Sequence, residues 1–258
     1  MKHYLSILMV AALVAGILPS HAQMSGPPVP QFSGGMEKLF GDNQTFSADT
    51  RIQISNGSTP MTMPGKIAFD KGNSWFELDM SQMQGGNIPA QVLTMMKSAG
   101  LDKMVSITQS NKPVVYVVYP NAKAYAEMTS PTPDTASTNA DVPVQVTALG
   151  NETMAGHPCV KNKATVTDKQ GVKHDFTVWN ATDLKNFPVQ ITMTGEENPA
   201  TFTFLNVSFA KPNPGLFTPP TGFTQYDGIQ EMMQSIMFKS LGSGVLPGGA
   251  VPQQPPQQ

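Results

Sequence analysis

Apolar and polar positions alternate through most of the chain, in short runs cut by Gly, Pro and Asn. Ile52 and Ile54 share one side of a run at 44–55. Ile67 and Phe69 do the same at 64–70, and Phe76, Leu78 and Met80 at 74–80. A period of two marks a strand with one buried face. The same pattern predicts strands over 103–110, 113–119, 123–128, 143–152, 159–168, 173–180, 188–194 and 201–210, with Phe176 and Val178, then Val189, Ile191 and Met193, on buried faces. In 201–210 the phase slips: Phe202 and Phe204 fall on one side, Leu205, Val207 and Phe209 on the other, which calls for a bulge or for burial of both faces. Turn signals separate the runs at Asn56-Gly57, Lys71-Gly72-Asn73 and Gln170-Gly171. Two stretches have helical spacing instead. In 88–99, Ile88, Val92, Met95, Met96 and Ala99 line one side; in 228–240, Ile229, Met232, Met233, Ile236 and Met237 form a stripe behind an Asp227 N-cap. The chain is therefore mostly β (α+β): a large antiparallel sheet with one helix after the early strands and another near the end.

The two ends depart from this pattern. Lys2 and His3 precede an apolar run, Leu5 to Leu18, broken only by Ser6 and Gly16; Pro19 and Ser20-His21-Ala22 follow. That order is a secretory signal peptide over residues 1–22, cut between Ala22 and Gln23. Its run of about 14 residues is shorter than the roughly 20 a membrane span needs. The mature protein is thus expected in the periplasm or secreted, with no transmembrane segment. No cysteine lies near the cut to carry a lipid anchor. Residues 23–35 read as a flexible segment, 36–241 as a single domain with a long exposed loop at 129–143, and 242–258 as a disordered Pro/Gln/Gly-rich tail.

Composition narrows the function. Charged residues make up 13% of the chain and the net charge is −2, with Arg51 the sole arginine, so nucleic acid is not an expected partner. Cys159 is the only cysteine, which rules out an internal disulfide. His157 lies two positions before it, but the local sequence identifies no third group to orient such a pair, and a packed thiol after a turn is the preferred reading. His174, in a Lys-His-Asp run, reads as a solvated strand start. Asp49 with Glu77 or Asp79 offers carboxylates without a spacing that pairs them. HExxH, CxxC, GxSxG, P-loop and GxGxxG patterns are absent. No catalytic residue, cofactor or metal ligand is assigned, and the protein is read as not an enzyme. Methionine stands out at 17 residues. Met61-Thr62-Met63 and Met80-Ser81-Gln82-Met83 have the look of thioether pairs for Cu(I); the competing readings are adaptable core filling and a deformable cavity for a greasy ligand.

Several stretches resemble a known family. Phe46-Ser47-Ala48-Asp49, Gly65 to Gly72 (GKIAFDKG) and Ser74 to Asp79 (SWFELD) are similar to the opening strands of LolA/LolB-like periplasmic carriers. Gly150 to Cys159 (GNETMAGHPC), Asn180 to Val189 (NATDLKNFPV), and Val207-Ser208-Phe209 followed by Leu216 to Phe223 (LFTPPTGF) resemble successive motifs of a related bacterial exported family of unknown function. The resemblance spans roughly 44–226. It implies a strongly curved antiparallel sheet, a half-barrel with a few helices on its concave face, enclosing an apolar cavity for acyl chains.

The expected function is accordingly non-enzymatic binding of a lipid, a lipoprotein acyl chain or another hydrophobic ligand. Phe69, Phe76, Leu78, Met95, Met96, Met233 and Met237 are the cavity residues this reading selects. The alternatives are a methionine-based copper-handling protein and an envelope-associated structural or interaction domain whose C-terminal tail docks a partner.

Overall fold

The computed structural model describes residues 34–55, 60–86, 88–129, 144–167, 171–194 and 199–242. The expected signal peptide, and nearly all of the N-terminal segment, the 129–143 loop and the tail, lie outside them. Strands account for 55% of the structure and form one curved, unclosed sheet, so the expected fold class holds.

After a short helix α1 (Gly34–Lys38), strands β1 (Thr45–Ile54), β2 (Met61–Asp70) and β3 (Asn73–Asp79) form an antiparallel meander. A two-residue strand β4 (Gln84–Gly85) pairs with β2. Helix α2 (Ala90–Ser98) follows, and the meander resumes with β5 (Lys103–Thr108), β6 (Val114–Tyr119) and β7 (Ala124–Thr129). The chain then crosses to the far edge and returns through β8 (Val144–Met154), β9 (His157–Thr167), β10 (Lys173–Ala181), β11 (Phe187–Thr194) and β12 (Ala200–Ser208). β12 closes against β1, setting Ile52 opposite Phe202. The last elements are β13 (Thr224–Tyr226), parallel to β7, and helix α3 (Ile229–Gly242).

Alternation does the sorting. In β1, Phe46, Ala48, Thr50 and Ile52 are buried while their neighbours are not; in β3, Ser74, Phe76 and Leu78 are. The apolar ones among these inner-face side chains join one core cluster with Met36, Leu39 and Phe40 at and just after α1, and with Met232 and Ile236 of α3. Phe40 is central: its ring lies 4.7 Å from Phe46 and 5.6 Å from both Phe187 and Phe204. Each such ring buried is worth roughly 1.5–3 kcal/mol.

The phase slip in the last long strand is a bulge. Ser47 faces Ser208 but Asp49 faces Leu205, so one strand carries an extra residue there. Asn206 absorbs it at φ 52° and donates to Asp49 Oδ2 at 2.8 Å. Beyond the bulge Val207 and Phe209 pack against the inner core, so they share a face with Phe202 and Phe204, and only Leu205 stays opposite.

The outer face is bare at one end and covered at the other. Val105, Ile107, Tyr116 and Val118 form a second cluster there, with Trp75, Tyr125 and Phe223 packed against it. The segment after β12 crosses this face, buries Phe217 in a short 3-10 turn (Pro214–Phe217), and accepts a hydrogen bond from Gln109 Nε2 at the Phe217 carbonyl (2.7 Å). It then rounds the β7 edge as β13 and delivers α3 to the inner face.

Candidate functional site

The strand residues expected to line a cavity are on the inner face, but in its closed core: Phe69 and Phe76 are 2% exposed and Leu78 3%. Met96, Met233 and Met237 are half-buried and pack against that same core. Met95 is half-buried on α2 and is not part of the cluster. The structure thus brings six of the seven residues to one cluster, three as filled interior and three as its margin.

That margin is rich in methionine. Met80, Met128, Met154 and Met193 are also half-buried against the core, so thioethers line it from α2 and α3 round to the β9 side. Of the two proposed copper pairs, Met63 is buried in β2, while Met61 and Met83 are half-buried.

Helix α2 is loosely seated. None of its residues is buried, and Val92, Leu93, Met95 and Met96 are all half-exposed. Its C-terminal end is nevertheless fixed. Gly100 takes φ 74°, and a Cβ there would lie 2.7 Å from the Ala122 nitrogen, so only glycine lets the helix end against the β6–β7 turn. A short helix with a half-exposed apolar face, held at one end, is the weakly anchored sort of element that ligand sites use.

A cleft of about 190 Å³ opens where α3, β7 and β13 meet the end of α2. Ala99, Ala122, Ala124 and Ile236 are its apolar lining; Ser98, Thr224, Tyr226, Lys239 and Ser240 are its polar one. The Tyr226 hydroxyl is hydrogen-bonded to Ser235 Oγ (2.8 Å) and accepts from Lys239 Nζ (3.1 Å). The Ser235 contact first, then the ammonium, holds the phenol below its ordinary pKa. Sequence reasoning missed this cluster. Ser235 and Lys239 at i, i+4 were its only local trace; the tyrosine comes from a strand too short to show a period.

The His157 and Cys159 side chains turn to different partners. His157 Nδ1 lies 2.9 Å from Asp183 Oδ2. The Cys159 thiol is buried and donates to the His157 carbonyl at 3.3 Å; burial pushes its pKa up, which disfavours the thiolate a nucleophile needs. The other carboxylates singled out above are also locally engaged: Asp49 by Asn206, and Glu77 and Asp79 both by Lys103, at 3.8 and 3.9 Å.

Comparison with known proteins gives a family and several distantly similar solved structures. The family model described as "Domain of unknown function (DUF4412)" matches residues 80–212. Among solved structures the chain is similar to a LolA superfamily protein from Nitrosomonas europaea, with 12% identity over 70% of this chain and 93% of that one, TM-score 0.37. It is also similar to the lipoprotein LppX from Mycobacterium tuberculosis, at 10% identity over 69% and 94% with TM-score 0.41. A third is LprF from Mycobacterium bovis, at 14% identity over 70% and 93% with TM-score 0.36. No curated protein matches the chain.

Proposed function

The chain belongs to the family described as a domain of unknown function (DUF4412), and we propose that it is a non-enzymatic binding protein for a lipid, an acyl chain or another hydrophobic ligand. The observation that carries this reading is the methionine-rich margin of the core, above all Met96 of the loosely seated α2 and Met233 and Met237 of α3. Unbranched thioether side chains repack at little cost, so a surface built from them accepts greasy ligands of varied shape. Displacing α2 would uncover the part of the core margin against which Met96 packs, without breaking the sheet. The signal peptide expected over residues 1–22 would direct this activity to the periplasm or outside the cell. No helix among the described residues is long and apolar enough to cross a membrane.

The test is uptake of a fluorescent fatty-acid probe, measured beside thermal melting. Met233→Glu introduces a carboxylate at a half-buried position that water reaches; the variant should melt within a few degrees of the unmutated protein and lose most probe uptake. Leu78→Glu buries its charge in the closed core at 3% exposure and should fail to fold. No uptake by the folded, unmutated protein would overturn the proposal. Undiminished uptake by Met233→Glu would move the site elsewhere.

A further inference from the structure

The two edges of the sheet are finished differently. At one end β13 adds three parallel residues to β7, and α3 packs over them. At the other, β8 pairs with β9 and, among the described residues, with no other strand. Every residue of β8 from Gln145 to Thr153 is exposed. Edge strands usually carry a lysine, a proline or a bulge that blocks further pairing. β8 has its bulge at Leu149, between Ala148 and Gly150, but Val144 to Ala148 contains no charge and no proline.

From this edge we infer that the protein forms a two-fold dimer by antiparallel pairing of β8 with β8 of a second copy, centred on Val146. A segment pairing with itself must be self-complementary, and this one is. Val146 would face Val146, Gln145 would face Thr147, and Val144 would face Ala148, with no like charges opposed. The inner face supplies the second argument. Met193, Phe176, Ala164 and Val146 lie in one cross-strand row. Phe176 and Ala164 are buried, whereas Val146, the last of the row, is 62% exposed. A second copy would continue that row and cover it. Glu152, the only charge in the strand, lies beyond the bulge and is already engaged by Lys161 at 3.1 Å and by the Trp179 indole. The bulge limits pairing to the first five residues, and two-fold closure uses up both edges, so the product is a discrete dimer and not a fibre. The inference does not depend on the ligand reading.

The experiment uses the full mature chain. Sedimentation velocity across a wide concentration series should show a reversible dimer, and Val146→Lys should abolish it with the melting temperature unchanged. In a Cys159→Ser background, Val146→Cys should give a disulfide-linked dimer under mild oxidation, at least fivefold faster than Thr153→Cys, which lies past the bulge. A monomer at every concentration would overturn the inference, as would a dimer that survives Val146→Lys or equal cross-linking at the two positions. A monomer that pairs only with an added unrelated strand peptide would overturn it as well.

Discussion

Glu37 is a half-buried carboxyl group on α1, next in sequence to Met36 of the core and ahead of the turn that delivers Phe40. Burial pushes its pKa up to about 7, with Lys38 pulling weakly the other way. The folded state therefore holds this proton more tightly than the unfolded chain, whose glutamates titrate near 4.3. The stability that comes with the protonated form is complete below that ordinary value, and is lost as the pH rises from there through about 7. Glu37→Gln removes the penalty. Melting at pH 8 should show a gain of about 1–3 kcal/mol, and melting at pH 4 almost none; equal gains at both would mean the carboxyl is not desolvated. Cys159 offers a complementary test. Its thiol is buried and bonded only to backbone, so Cys159→Ser should cost about 1 kcal/mol and leave probe uptake within twofold. A large loss of uptake with an intact fold would return Cys159 to the site. The methionine margin was visible at this scale because a helical stripe puts Met233 and Met237 on one side. That Phe69, Phe76 and Leu78 are sealed was not, because period two names a face and does not say whether that face encloses space.

Among the elements, ten of the eleven long strands and helix α3 were legible because each has at least one buried side, whereas β8 and α2 showed only the apolar spacing. Burial imposes a period on composition, and turn residues mark the breaks. What escaped lacks that imprint. β13 has three residues, and its parallel pairing with Ala124 to Ala126 is chosen by where the outer strap ends. α1 begins Gly-Gly, a poor helix former, and those two glycines fell in the segment read as flexible; docking of Met36, Leu39 and Phe40 into the core overrides the propensity. β8 was legible as a strand from the apolar–polar alternation of Val144 to Thr147, yet nothing in that alternation said it would be an uncovered edge. The bulge in β12 was legible as a slip in phase, and its physical content can be tested. Asn206 sits at φ 52°, a region costly for a β-branched residue. Asn206→Val should destabilise the protein by about 1–3 kcal/mol in urea unfolding, while Asn206→Gly should lose only the bond to Asp49. If the two variants are equally stable, the bulge does not fix the inner-face placement of Val207 and Phe209.

At the scale of the molecule, the chain is two antiparallel meanders joined along β1 and β12, covered unequally. Near β5, β6 and β7 both faces are clothed, by α3 within and by the Phe217–Phe223 strap without. Towards β8 the sheet ends in a single strand exposed on both sides. Local stability follows buried apolar contact, so backbone amides should exchange along a gradient. Hydrogen exchange read by mass spectrometry should find the slowest amides in β1, β2 and β12, where the Phe40, Phe46 and Phe204 rings meet, and the fastest strand amides in β8. A hydrophobic ligand adds a second pattern. Binding against the methionine margin should slow exchange in α2, which has no buried residue of its own, and in the stretch of α3 from Met233 to Met237. It should leave the β1–β2 core unchanged, because Phe69 and Phe76 are already sealed. Dimerisation would slow β8 alone, and only as protein concentration rises, so the two effects separate in one experiment. Protection that appears in β8 on adding ligand at low protein concentration, with α2 unaffected, would put the ligand on the edge strand and remove the basis for a site under the helices.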